Sequence, residues 1–352
     1  MDKAKKLLII YLSKSSCLDF CKGLANLITE YRHEIWCQSL NTPLFKGSIA
    51  LGNSSGLVAS SRLVLNLVGK LFKKAVQSKT EYDILLPAFH PLNLLIAIYA
   101  KPTKNIKVHL VVHDFLTHTG EKSKLVESLQ RWTMSLSAVV LFLSEHELNK
   151  ALKSGYDPIK CRLIKHPFEL STNKNNLAFP ASAKLLFLGR LVDYKGVNML
   201  VEAIDGLPFE TLTIAGKGAY PKEWDDHEKI NIINRHISEE EYTRLSLTHH
   251  IQILPYIEAS QSGVLLKAAS FGIPMVISRV GGLPEQLSEA SAVFCEANVP
   301  SLRMAILKLI TDANLFNSVK NNVILEANKM HKQAQESIMT FVKCLGVPQQ
   351  QA

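Results

Sequence analysis

FLGRLVDYKG, Phe187 to Gly196, opens the stretch that decides the fold, and SGVLLKAASFGIPMVISRVGGLPEQL, Ser262 to Leu287, closes it. The apolar run Leu185 to Leu188 reads as a buried strand. A glycine turn follows, then Arg190 and Lys195 around a second turn, then the helix-like VNMLVEAI. Two fixed cations at a strand-to-helix junction suit a diphosphate. Arg190 can fork onto phosphate oxygens and Lys195 adds a point charge. The helix behind them offers unpaired N–H groups and the positive end of its dipole. The second piece supplies Gly263 and Gly272, a strand from Pro274 to Ser278, and Gly281-Gly282. At such turns backbone can approach a ligand closely.

Outward from this stretch, apolar strand-like runs alternate with helical periodicity. The strands are expected at Leu7–Leu12, Ile84–Leu86, Val108–Val112, Val139–Leu143, Leu185–Leu188, Thr211–Ala215, Ile230–Ile233, Ile251–Leu254 and Met275–Ser278. Leu18–Tyr31, Lys124–Leu136, Val197–Ile204 and Leu302–Ile310 carry the helical spacing. That alternation predicts an α/β protein with parallel sheets covered on both faces. Two such blocks are separated by the polar, turn-rich LSTNKNNLAFPASA, Leu170 to Ala183. Ligands of such folds sit at the carboxyl ends of the strands, so two facing Rossmann-like domains would form a cleft.

Taken together, the two quoted pieces resemble the C-terminal half of GT-B glycosyltransferases of the large retaining family 4. There, G-R-x-x-x-x-K-G and G-x-P-V-V-x-S-x-x-G-G-x-x-E bind a nucleotide-sugar. The resemblance covers about residues 184–310 well and the first half more loosely. It implies an N-terminal acceptor-binding domain over 1–170 and a nucleotide-sugar-binding domain over 171–318, with a last helix, about 319–352, packing back on the first. It implies transfer of a hexosyl group from a UDP- or GDP-sugar to a sugar hydroxyl, on a lipid-linked precursor of exopolysaccharide, capsule or O-antigen. No cofactor and no metal are implied, and no D-x-D motif is present.

Carried onto this sequence, the resemblance assigns donor binding to Arg190, Lys195, Gly189, Gly216, Ser262, Gly263 and Glu285. Gly216 begins the turn GKG after a strand, and Glu285 completes G-G-x-x-E. His113-Asp114 and His118 match an H-D-x-x-x-H-x-G segment, and Phe89 to Asn93 matches H-P-x-N. With Glu258, His118, His113 and Asp114 are the expected catalytic group. The family's Glu-x7-Glu pair is altered: Ala259 and Lys267 stand where its glutamates would, and Glu258 is one residue off. Glu258, Ser260 or Gln261 would then contact the donor sugar. His166-Pro167-Phe168 reads as structural. The glycine-rich first loop of the family is replaced by SKSSCLDFCKG.

Composition sets the outer bounds. The 352 residues allow two domains, and 47% apolar with 20% charged residues describe a globular chain. The six cysteines show neither C-x-x-C nor zinc spacing, which points to a reducing compartment. Cys17 and Cys21 would be buried thiols on one helix face. Leu7 to Leu12 is too short for a secretory core, and Ile84 to Ala100 contains His90, Pro91 and Asn93 and does not read as a membrane span. A cytoplasmic protein is expected, peripheral on the inner face of the membrane. Residues 1–168 carry 23 Lys and Arg against 12 Asp and Glu, so this half suits an anionic partner. RLVLNLVGKLFKKAVQSK, residues 62–79, has the pattern of a basic amphipathic helix, which suits an anionic membrane surface. Nucleic acid is not expected, because aromatics are only 7% and none interleaves with the basic residues. His249-His250 reads as a surface pair. The alternative to a transferase is a nucleotide-sugar-binding or scaffold protein of the same fold that has lost turnover, motivated by the altered glutamate pair.

Overall fold

The structure is a computed structural model that describes residues 5–12, 17–31, 33–37, 48–51, 66–67, 69–71, 73, 80–118 and 123–349. Most of the basic stretch 62–79 lies outside the described residues. The chain divides into two compact units. The first is Met1–Thr117, Ser123–Phe168 and Gln333–Ala352; the second is His118–Lys122 and Glu169–Lys332.

The first unit is built on a seven-stranded parallel sheet of order β3-β2-β1-β4-β5-β6-β7. Its strands are β1 (Lys5–Tyr11), β2 (His33–Cys37), β3 (Ile49–Ala50), β4 (Glu81–Leu86), β5 (Ile106–Val112), β6 (Val139–Phe142) and β7 (Cys161–Leu163). Both faces are buried, as parallel sheets require. Leu8, Ile10, Val108, Leu110 and Val112 face one core, with Ile96 of α2 (Asn93–Ala100), Met134 of α3 (Lys124–Leu136) and Ala151 of α4 (Glu145–Lys153). Leu7, Ile9, Tyr11 and Val111 face the other, with Phe20 and Leu24 of α1 (Leu18–Leu27) and with Ile338, Val342 and Leu345. The period-2 alternation along each strand therefore decides which helices cover which face.

The second unit repeats the plan with six parallel strands in the order β10-β9-β8-β11-β12-β13. They are β8 (Ala183–Leu188), β9 (Phe209–Ala215), β10 (Ile230–Ile233), β11 (Ile251–Leu254), β12 (Met275–Ser278) and β13 (Val293–Cys295). Its helices are α5 (Val197–Ile204), α6 (Glu239–Thr248), α7 (Gly263–Phe271) and α8 (Val299–Thr311). The last helix, α9 (Ala313–Cys344), has residues 313–332 in the second unit and the rest in the first.

Counted within each unit, both strand orders begin 3-2-1-4-5-6, the doubly wound Rossmann order. The order reverses between β1 and β4 in one sheet and between β8 and β11 in the other. Loops leaving those strands at their carboxyl ends frame a crevice. In the second unit these loops are Gly189–Gly196 after β8 and Pro255–Ser262 after β11.

Three sequence expectations need correction. His249 is no surface residue: it is 7% exposed, and its ring bonds the Leu245 carbonyl and Thr213 Oγ1 at 2.8 Å each. Burial lowers its pKa. The helix expected over Leu18–Tyr31 stops at Leu27, and Tyr31 makes an antiparallel bridge to Gln349. Cys21 is buried, but Cys17 sits at the N-cap of α1 with φ 63°, off the helix. All six cysteines are free thiols. Among the described residues no helix is long and apolar enough to cross a membrane.

Candidate functional site

After β8 the chain turns at Gly189 and places Arg190 exposed at the strand end. A short 3-10 turn, Asp193–Lys195, leads to Gly196 at φ 67° and then into α5. A side chain on Gly196 would meet the Pro255 carbonyl at the start of the β11 loop. Glycine here lets two loops from neighbouring strands touch backbone to backbone. Gly216, after β9, is packed likewise against the Gly189 carbonyl. Gly218 donates its N–H to Asn234 Oδ1 (3.1 Å) after β10. Four strand ends are thus drawn together, those of β9, β8 and β11 by close backbone approach and that of β10 by a side-chain hydrogen bond.

The two cations do not stand alone. Arg190 Nη2 donates to the Tyr194 hydroxyl at 2.6 Å, and the guanidinium carbon is 6.0 Å from the Tyr194 ring centroid. Lys195 Nζ is 3.6 Å from the Tyr256 ring centroid and 5.2 Å from that of Tyr194. Tyr256 is buried, its hydroxyl 3.4 Å from Ser262 Oγ. Burial pushes the Tyr256 phenol up to about 12, although Ser262 and Arg190 pull the other way, so it stays a neutral ring facing an ammonium. His118 stacks on Tyr194 with centroids 4.5 Å apart, and its Nδ1 is 3.7 Å from Glu258 Oε2. The structure therefore gathers Arg190, Lys195, His118 and Glu258 around Tyr194.

The β11 loop is held from two sides. The Ile257 and Glu258 N–H groups donate to the Tyr194 carbonyl (2.8 and 3.4 Å), and Gly282 donates to the Ala259 carbonyl (3.3 Å). The Ser262 N–H, expected to face phosphate, donates to Gln286 Oε1 at 2.8 Å. Ser262 Oγ caps α7 by accepting from Leu265 N–H (3.3 Å). Ser262 and Gly263 thus start a helix, and Ser262 itself is structural in its visible bonds. Gln261 Oε1 is buried with no hydrogen-bond partner among the described residues. Such an acceptor is costly to leave unmade. Glu285 is exposed on the 3-10 turn Leu283–Glu285. Lys267, where the family has an acid, pairs with Glu239 (Nζ to Oε2, 2.5 Å) and lies over the Tyr242 ring at 4.2 Å.

In the first unit His113 leaves β5 beside the end of β4. Its Nε2–H donates to the Pro87 carbonyl at 2.9 Å, and Phe20 and His166 pack edge-on at 4.9 and 6.2 Å. Burial works against its proton, but the charge of and hydrogen bond to Cys17, with Pro87 and Asp114, raise it to about 9. His166 goes the other way, to about 3, through burial and the charge of His113. The segment after His113 is tied down by residues that sequence reasoning missed. Buried Glu147 accepts from the Phe115 N–H (2.5 Å), Gln130 donates to the Asp114 carbonyl (2.8 Å), and Glu127 accepts from Thr117 Oγ1 (2.6 Å). The one available signal was the capping box S-x-x-E at Ser144 to Glu147.

Residues 182–312 match the family described as Glycosyl transferases group 1. The fold is GT-B. Sucrose-phosphate synthase from Thermosynechococcus elongatus superposes with a TM-score of 0.77 at 14% identity, over 97% of this chain and 98% of that one. Anabaena HepE in complex with UDP and glucose gives 0.75 at 14% identity, over 96% and 99%. By sequence, the glycogen synthase of Mycobacterium tuberculosis is 33% identical over 143 residues, 37% of this chain and 34% of that protein. The gpi3 subunit of the Schizosaccharomyces pombe phosphatidylinositol N-acetylglucosaminyltransferase is 24% identical over 234 residues, 61% and 50%. The chain thus spans between a third and a half of the length of these sequence relatives.

Proposed function

We propose that this protein is a retaining glycosyltransferase of the group 1, family 4 kind. It transfers a hexosyl group from a UDP- or GDP-sugar to a sugar hydroxyl of a lipid-linked polysaccharide precursor. The observation that carries the reading is the pairing of Arg190 and Lys195 at the end of β8, each fixed by a tyrosine, within the matched domain. The complexes of HepE with UDP-glucose and of starch synthase IV with ADP and acarbose support a nucleotide-sugar donor and a saccharide acceptor.

The chemistry follows from the leaving group. As the anomeric C–O bond breaks, negative charge builds on the diphosphate, and Arg190 and Lys195 meet it without a metal. The acceptor oxygen attacks the anomeric carbon from the face the diphosphate leaves, and its proton passes to a leaving phosphate oxygen. Gln261 Oε1 accepts a donor-sugar hydroxyl. His118 and Glu258 orient the sugar, and Gly189, Gly216 and Gly263 let backbone approach the donor. Glu285 faces the same ligand. His113 and Asp114 belong to the acceptor side. The enzyme works in the cytoplasm on an anionic membrane surface, met by the basic residues of the first unit.

Incubating the protein with a panel of UDP- and GDP-sugars, and following anomeric protons by NMR, tests this. The first-formed product should keep the donor's anomeric configuration, in EDTA as in magnesium. An inverted product, or activity that EDTA abolishes, would contradict it. The Lys267–Glu239 pair favours a second reading, a donor-binding protein without turnover. It predicts nucleotide binding with neither transfer nor hydrolysis.

A further inference from the structure

We propose that Tyr194 is a positioning residue for the donor diphosphate, holding Arg190, Lys195 and the Glu258 loop in one arrangement before the donor arrives. This rests on the donor reading above. Tyr194 is only 5% exposed, and its hydroxyl, carbonyl and ring each engage a different part of the site. The hydroxyl accepts from Arg190 at 2.6 Å. The carbonyl accepts from Ile257 and Glu258, joining the β8 loop to the β11 loop across the point where strand order reverses. The ring carries His118 on it at 4.5 Å and Lys195 at 5.2 Å.

The physical argument is preorganisation. An exposed arginine holds about 2 kcal/mol of rotamer entropy, which a phosphate must freeze on binding. A guanidinium has five N–H donors, and the bond to Tyr194 uses one. That bond fixes the plane of the fork through a single donor. Lys195 lies against two tyrosine faces, 3.6 Å from the Tyr256 centroid and 5.2 Å from that of Tyr194, and these quadrupoles help to keep its charge at the end of β8. A tyrosine that merely filled space would need neither arrangement. Its hydroxyl could bond any carbonyl, and phenylalanine would replace it without consequence for ligands.

Tyr194→Phe separates these roles. It keeps the ring, the carbonyl and the stack with His118, and removes only the hydroxyl on Arg190. Titration calorimetry would compare UDP, GDP and ADP with uridine, guanosine and adenosine, on the wild type, Tyr194→Phe and Tyr194→Leu. For the diphosphate that the wild type binds best, Tyr194→Phe should lose about tenfold in affinity, with the parent nucleoside unchanged and the melting temperature close to wild type. Tyr194→Leu should lose more, since the ring that carries His118 and flanks Lys195 is then also gone. Unchanged diphosphate affinity in Tyr194→Phe overturns the proposal. So does an equal loss for nucleoside and diphosphate, which marks a general structural defect. Binding of no nucleotide by the folded wild type would instead remove the donor reading on which the proposal stands.

Discussion

His113 and His166 show how far one contact moves a side chain. Both are half-buried beside Phe20, yet one is pushed up to about 9 and the other down to about 3. The signs of their effects on stability differ. His113 binds its proton more tightly when folded, so its contribution is complete below the ordinary value of 6.5 and is lost as pH rises through about 9. His166 resists its proton when folded. The fold is undisturbed above 6.5 and loses stability as pH falls from there towards 3, because only the unfolded chain then takes the proton. Melting temperature measured from pH 4 to 9.5 should therefore peak near neutrality. His166→Asn should flatten the acid limb and His113→Asn the alkaline one, and matching profiles for all three proteins would contradict this. At this scale the sequence was legible where chemistry is carried by type and place. Arg190 and Lys195, bracketed by glycines after an apolar run, read as a phosphate site. Tyr194 did not, because nothing in the local sequence says that a phenol will meet a guanidinium four residues earlier. His249 was misread for the same reason, its partner Thr213 lying on a strand 36 residues away.

Elements were easier to read than residues. Each central strand of both sheets announced itself by a largely apolar run, since strands buried on both faces have little polar side to show. The strands that escaped notice, β2, β3, β7 and β13, lie at or beside sheet edges and are short. Their sequences, HEIWC for β2 and CRL for β7, mix charge with apolar residues because part of each faces outward. The junction between β8 and α5 makes the sharpest test at this scale. Gly196→Ala forces a left-handed backbone on an L-residue, about 1–2 kcal/mol, and drives a methyl against the Pro255 carbonyl. The two loops must then separate. The melting temperature should drop by several degrees, and diphosphate affinity should fall with it, because Arg190 and Glu258 sit on the parted loops. Wild-type stability in this variant would show that the close approach is not needed.

For the whole molecule, the doubled Rossmann order places the candidate donor residues of the second unit on the segments that follow the carboxyl ends of β8, β9, β11 and β12. The α/β class with two parallel sheets followed from strand–helix alternation, and GT-B from the motif resemblance. The site followed less fully, because its supports, Tyr194, Tyr256, Gln286 and Glu147, are reached only through contacts between elements. Residues 333–352 count with the first unit and 118–122 with the second, which no local composition marks; a last helix returning to the first domain was implied by the family resemblance only. The central claim is that the end of β8 holds a nucleoside diphosphate. The measurement that tests it most directly is a calorimetric titration of UDP, GDP, ADP and CMP into the wild type and into Arg190→Ala. Loss of a charge-assisted phosphate contact is worth about 2–3 kcal/mol. One diphosphate should bind the wild type, and Arg190→Ala should weaken it by about 30- to 140-fold while melting like the wild type. Equal binding by both proteins, or binding of none of the four by the folded wild type, would contradict the account.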